Sequence, residues 1–207
     1  MTNAFQELPP PAITFAAVAS ALARTTPVTL APAGYVASAV ALILRETVAG
    51  TEMLFIERAK RDGDPWGGDL GFPGGKVDAS DGTPRRAAER ETWEELGLHL
   101  EEARFLGRLS DILGAHLPVK VSCFVYGARH VGPFQLSEEV QETFWIPVAA
   151  LADPARHGEA TVTFGDERLV RPAIRLPLEG KPMLWGITYR LVMQFLERLG
   201  CAPRLSG

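Results

Sequence analysis

Three carboxylates, Glu91, Glu94 and Glu95, fall within five residues in the stretch ERETWEELGL. At 100° per residue, Glu91 sits at the centre of one helical face, with Glu94 about 60° to one side and Glu95 about 40° to the other. Like charges at this spacing cost a helix on the order of 0.2–0.5 kcal/mol per pair. Their place in the last turn also sets them against the negative end of the helix dipole. Arg90 can relieve part of the repulsion through an i,i+4 contact with Glu94, but no lysine stands on this face. A solvated acidic face would account for the glutamates taken alone. Hard divalent cations, however, take oxygen ligands from one or two carboxylates, from water and from substrate phosphates. The chemistry open to this face is therefore to hold metal ions against a phosphorylated substrate.

Just upstream, residues 61–75 form a loop with six glycines and two prolines. A loop of that length in a compact domain is usually functional, and its glycine backbone can approach a polyphosphate closely. Gly74-Gly75-Lys76 is not a nucleotide P-loop, since neither serine nor threonine follows the lysine, and no dinucleotide-binding fingerprint is present.

The elements that position these residues can be read from their end signals. Thr83 suits an N-cap, Pro84 the first helical position and Gly97 the left-handed residue after the last turn, so a helix is predicted over 84–96. Ala87 and Ala88 share the glutamate face and leave room above it, while Thr92, Trp93 and Leu96 point toward a core. GYVASAVALILRE (34–46) reads as a buried strand, and TEMLFIERA (51–59) as its antiparallel partner across a turn at Gly50. ARFLGRLSDIL, PVKVSCFVYGAR and ETFWIPV read as further strands, AALAD as a short helix, and 160–178 as a hairpin turning at Gly165-Asp166. LWGITYRLVMQFLERLG closes the chain as an amphipathic helix. In that segment Trp185 and Tyr189 are expected in the core, and His116 is expected to be an ordinary loop histidine. Strands flanking an internal helix predict an α/β fold, an α/β/α sandwich with a mixed central sheet. Residues 1–30 are expected to form an extended arm, containing LPPPA, and a docked helix over 13–23; residues 31–200 form one domain.

The chain has 207 residues, 46% apolar and 22% charged, which is an ordinary globular composition without a disorder signature. Its net charge of −4 gives no basic footprint for nucleic acid or an anionic membrane. An anionic substrate would need locally placed arginines or metal ions. Cys123 and Cys201 have no metal-ligand spacing and fit a reduced, cytoplasmic protein. The apolar stretch ITFAAVASALA is too short to span a bilayer.

The segment GGKVDASDGTPRRAAERETWEELGL resembles the signature of the Nudix family, G-x5-E-x7-R-E-U-x-E-E-x-G-U, where U is a bulky apolar residue. Arg90, Glu91, Glu94, Glu95, Gly97 and Leu98 match its second half at the right spacing. Thr92 stands where an aliphatic residue is commoner. Asp81 replaces the first glutamate, and the gap to Arg90 is one residue longer. Together with FPGG and the closing helix, these departures resemble the coenzyme A pyrophosphatase branch, with the likeness running from about Tyr35 to Leu199. Arg58 and Arg61 stand out of clean register with that branch's upstream arginine motif, and Trp66 and Asp69 replace its usual His and Gln.

The resemblance implies Mg²⁺-dependent hydrolysis of a diphosphate linked to another group, with Mn²⁺ as an alternative metal. Glu91, Glu94 and Glu95 become metal ligands, with a backbone carbonyl of Gly74 or Gly75 as a further contact, and Arg90 orients the carboxylates. Relatives often take the general base from a later loop, which points here to Glu138, Glu139 and Glu142, with Glu139 and Glu142 carried forward. Substrate contacts are expected from Arg58 and Arg61, whose forks suit phosphate, and from Phe72, Gly74 and Gly75. The expected partner is a small-molecule diphosphate, namely coenzyme A or a derivative. ADP-ribose, a nucleotide sugar or another nucleoside diphosphate derivative is the alternative. A ligand-binding regulator without hydrolysis and an interaction scaffold are the readings from other classes. Neither nucleic acid nor membrane is expected as a partner, and relatives make a homodimer plausible.

Overall fold

A computed structural model of the chain describes residues 13–61, 66–164 and 167–203. Its spine is strand β1 (Val36–Thr47), which pairs antiparallel with β2 (Gly50–Arg58) and parallel with β7 (Val119–Gly127). Short strands β3 (Leu70–Gly71) and β4 (Gly74–Lys76) pair with β2 and β1. Strands β5 (Arg104–Arg108) and β6 (Ile112–Leu113) both pair with β7, and β8 (Val140–Pro147) pairs with β2. The result is a mixed sheet of eight strands.

Side-chain alternation along β1 builds two cores. Ala39, Ala41 and Ile43 face helix α2 (Pro84–Leu96), whereas Leu42 and Leu44 face α1 (Phe15–Ala23) and α4 (Gly186–Leu199). A strand covered on both faces must be apolar at nearly every position, and VALIL is. The expected α/β/α sandwich is thus the observed one. Helix α1 docks by setting the Phe15 ring over Gly127, where a Cβ would come within 2.7 Å of that ring. Among the described residues no helix is long and apolar enough to cross a membrane.

Beyond β8 and helix α3 (Val148–Leu151) lies a second sheet of β9 (His157–Phe164), β10 (Glu167–Ile174) and β11 (Leu184–Trp185), in the order β11-β10-β9. The arm over 1–12 and the turn at Gly165-Asp166 lie outside the described residues, although Phe164 and Glu167 pair across that turn. Two expectations need correction. ARFLGRLSDIL is two strands on one partner, because the ladder with β7 lapses over residues 109–111, between Arg108 opposite Phe124 and Ile112 opposite Val121. Leu184–Trp185 is extended, so the closing helix starts at Gly186.

Candidate active site

Helix α2 has the predicted ends. The Thr83 hydroxyl accepts the Arg86 N–H at 3.2 Å, Pro84 opens the helix, and Gly97, at φ +65°, donates its N–H to Trp93 O at 2.8 Å. The sense of its faces differs from the sequence reading. Ala87 and Ala88 are wholly buried against the sheet, which lets α2 approach β1 closely. Glu91 and Glu95, one and two turns on, therefore turn inward over β4. Thr92 and Leu96 are buried as expected, but Trp93 is 51% exposed beside His99.

The two loop glycines meet the two inward glutamates. The Gly74 N–H donates to Glu95 Oε2 at 2.9 Å. Gly74 has φ +147°, and a Cβ there would lie 2.3 Å from Ala39 O, so only glycine fits. At Gly75 a Cβ would come 2.5 Å from the Glu91 carboxyl carbon. The bare Cα makes the cradle in which that carboxyl rests.

Glu95 is 3% exposed. Burial pushes its carboxyl up to about 8, against the pull of the Gly74 N–H and the Arg58 charge, while Glu91 and Glu139 push it further up. Burial also raises Glu91, with Arg90 opposing. A buried glutamate and a half-buried one that repel each other form a site short of positive charge. A hard divalent cation would supply it, and an all-oxygen donor set suits Mg²⁺ or Mn²⁺. Among the described residues, no three Asp, Glu, His or Cys side chains already converge as a cage. Glu94, the third expected ligand, is exposed and held at 2.8 Å by Arg90.

Arg90 is the hub. It donates from Nε to Asp81 Oδ1 at 2.8 Å, and its other nitrogens reach Asp81 Oδ2, Glu91, Glu94 and the Lys76 carbonyl. The hydrogen bonds with Asp81 are the main reason its pKa rises, and they hold Asp81 below the usual carboxylate range. Asp81 also takes the Asp78 N–H at 2.7 Å. Sequence reasoning marked Asp81 only as a departure from the family pattern. In the fold it is the buried anchor that aims Arg90 at the glutamates.

The segment after β7 closes the site. Gln135 and Ser137 donate their N–H groups to the Leu96 and Glu95 carbonyls, each at 2.9 Å, satisfying the end of α2. This brings Glu139 close enough to perturb both inward glutamates. Arg61 joins it, with Nη1 3.0 Å from Glu139 Oε1 and Nη2 3.9 Å from Glu138. Arg58, beyond a bulge in β2, acts electrostatically on Glu95. Glu142 does not join this group. It pairs with Glu57 across β2 and β8, on the face of Met53 and Phe55 opposite α2, and Lys181 bridges the two carboxylates at 2.6 and 2.9 Å. Phe72 is 5% exposed, stacked on Phe55 at 5.1 Å, and forms part of the wall of the cavity.

That cavity has a volume of about 510 Å³ and lies on the α4 side of the sheet, reaching Arg58, Gly74 and Gly75 at its edge. Trp66, Trp185 and Tyr189 supply aromatic surface, and Trp185 Nε1–H donates to Asp69 Oδ1 at 3.0 Å. Trp185 and Tyr189 are half-buried and line the cavity, as does His116; Tyr189 also packs on the core, as expected. The pairing of Trp185 with Asp69, 116 positions apart, had no local signal. The arrangement sets an aromatic, cationic pocket on one face of the sheet and the inward glutamates on the other, joined at the glycine loop.

Known proteins resemble this chain. Residues 34–164 match the family described as NUDIX domain. The mitochondrial coenzyme A diphosphatase NUDT8 of Homo sapiens is 32% identical over 178 residues, spanning 83% of this chain and 74% of the relative. The NUDT8 of Mus musculus is 31% identical over 129 residues, 58% of each chain. A MutT/nudix family protein from Enterococcus faecalis superposes with a TM-score of 0.55 over 91% of this chain and 70% of its own, at 16% identity, and supports the fold. The matched span holds the glycine loop, the glutamate helix and Glu139: the chain belongs to the Nudix family of hydrolases.

Proposed function

We infer that the chain is a Mg²⁺-dependent pyrophosphohydrolase of coenzyme A or a coenzyme A derivative, with Mn²⁺ as an alternative metal. The observation that carries this reading is the junction at Gly74-Gly75, where the Glu91 and Glu95 carboxylates meet a roomy pocket lined by aromatic and cationic side chains. The likeness to the human coenzyme A diphosphatase supports the substrate. Free Cys123, its thiol pushed up to about 12 by burial, and free Cys201 suit a reducing compartment such as the cytoplasm.

Phosphoryl chemistry needs positioning and neutralisation of developing negative charge. Divalent ions held by Glu91, Glu95 and Glu94 would supply that charge and lower the pKa of a bound water. Asp81 and Arg90 fix the carboxylates, and Arg58 meets the diphosphate at the mouth of the pocket. Arg61 orients Glu139, whose carboxylate oxygen takes the proton of the attacking water. Trp66 and Trp185 exclude water from the organic part of the substrate.

The test is turnover with Mg²⁺ on coenzyme A, ADP-ribose, NADH and a nucleotide sugar, with folded Glu95→Gln as control. Formation of 4′-phosphopantetheine and adenosine 3′,5′-bisphosphate, lost in the variant, supports the reading. Preference for another diphosphate discards coenzyme A. Tight metal-independent binding without turnover favours a regulator.

A further inference from the structure

We propose that Arg171, Arg190 and His116 form a second anion subsite, which reads a phosphomonoester carried by the substrate beyond its scissile diphosphate.

Three segments distant in sequence bring these residues to one part of the cavity wall: β10, α4 and the loop between β6 and β7. Arg171 Nη2 lies 3.1 Å from His116 Nε2, so the guanidinium donates and that ring nitrogen accepts. Its Nη1 donates to its neighbour Val170 O at 3.0 Å, and Arg190 Nη1 donates to Leu113 O at 2.7 Å. Both guanidinium groups are thus held by neutral acceptors.

Among the described residues, neither Arg171 nor Arg190 meets a carboxylate, whereas Arg45, Arg61, Arg85, Arg90, Arg108 and Arg156 each do. The described lining of the cavity has four cations, Arg58, Lys76, Arg171 and Arg190, against one carboxylate, Asp69. Local positive charge in a chain of net −4 is the complement of a polyanionic ligand.

The two cationic ends are separate. Strands β4, β1, β7 and β6 run side by side, so the glycine loop and the β6–β7 loop stand about 14 Å apart at roughly 4.8 Å per strand. A lone diphosphate does not span that distance. A nucleotide with phosphates at two positions, its body against Trp185 and Tyr189, fits it better. Two guanidinium forks match a dianionic phosphomonoester. Arg171 and Arg190 lie beyond the span matched to the family, residues 34–164.

On the coenzyme A reading, on which this assignment of the ligand rests, the phosphomonoester is the 3′-phosphate of the adenosine half. The experiment has two arms, each run on wild type, Arg171→Gln and Arg190→Gln with folding checked by circular dichroism. The first measures kcat/KM for coenzyme A and for 3′-dephospho-coenzyme A. The expected preference for coenzyme A is about tenfold to a hundredfold, and it falls toward unity in each variant. The second measures binding of adenosine 3′,5′-bisphosphate against 5′-AMP by calorimetry, with no turnover required. The same preference is expected in wild type and is lost in each variant. A 3′-phosphate preference in binding, without hydrolysis of coenzyme A, overturns the proposed function and leaves the subsite standing. Hydrolysis of both cofactors at equal efficiency, a preference that survives both substitutions, or no binding of either nucleotide overturns the subsite.

Discussion

Glu95→Gln removes the ionisable carboxyl of the most buried of the three glutamates while leaving an oxygen to accept the Gly74 N–H. In the folded chain the Glu95 carboxyl is pushed from an ordinary 4.5 up to about 8. At about 1.4 kcal/mol per pH unit, that is roughly 5 kcal/mol. The folded state holds a proton that the unfolded chain has released, so stability falls as pH rises. The contribution is fully present below 4.5 and is gone by about 8. The glutamine variant has no such slope. Urea unfolding of both proteins in chelator, across that interval, should show the variant gaining on wild type by up to about 1.4 kcal/mol per pH unit and levelling off above the upper value. Saturating Mg²⁺ should then stabilise wild type alone, by about 2.7 kcal/mol at a hundredfold excess over Kd. Turnover of the variant should fall at least about a hundredfold. Parallel pH profiles for the two metal-free proteins would refute the argument that an uncompensated buried carboxyl is the heart of the site.

Three further outcomes are expected. Asp81→Asn should leave the protein folded but cost roughly tenfold or more in kcat with little change in KM, because Arg90 loses the charge that aims it; steady-state kinetics decide. Glu139→Gln should cost at least about a hundredfold in kcat as loss of a general base, while Glu142→Gln, on the other face of the sheet, should stay within about twofold; the same assay on both separates them. Gly75→Ala, whose Cβ would meet the Glu91 carboxyl, should raise the Mg²⁺ concentration needed for half-maximal activity about tenfold, whereas Gly74→Ala should lower stability by roughly 1–3 kcal/mol or more, read from urea midpoints.

How far the sequence led depended on the range of the forces involved. The ends of α2 were legible because Thr83, Pro84 and Gly97 act on their own backbone neighbours. The apolar run of β1 declared a strand covered on both faces. Which side of α2 would face inward was not legible: two small alanines outweighed a tryptophan because close approach to β1 mattered more than apolar area at one position. Glu142 and Glu139 look alike in LSEEVQETFW, and only pairing with β2 decides that one meets Lys181 and the other approaches the glutamates. The pocket was hidden for the same reason. Its wall is assembled from β3, the β6–β7 loop, β10 and α4, and no local pattern announces a contact such as Trp185 with Asp69.

The parallel pairing of β1 with β7 joins positions 36 and 119, and it imposes an order on biosynthesis. As the chain emerges from the ribosome, β1 and β2 can close at once as a neighbouring pair, yet the other edge of β1 has no partner until β7 has been made. Helix α1 must wait as well, since Gly127, under Phe15, ends that same strand. Helix α1 is thus seated only after all the residues up to Gly127 have followed it. In the interval an apolar strand edge and an apolar helix are both open to strangers. The sheet centre that makes the finished protein stable is therefore also the place where a nascent or refolding chain is most exposed to aggregation, and long-range pairing of this kind makes folding slow.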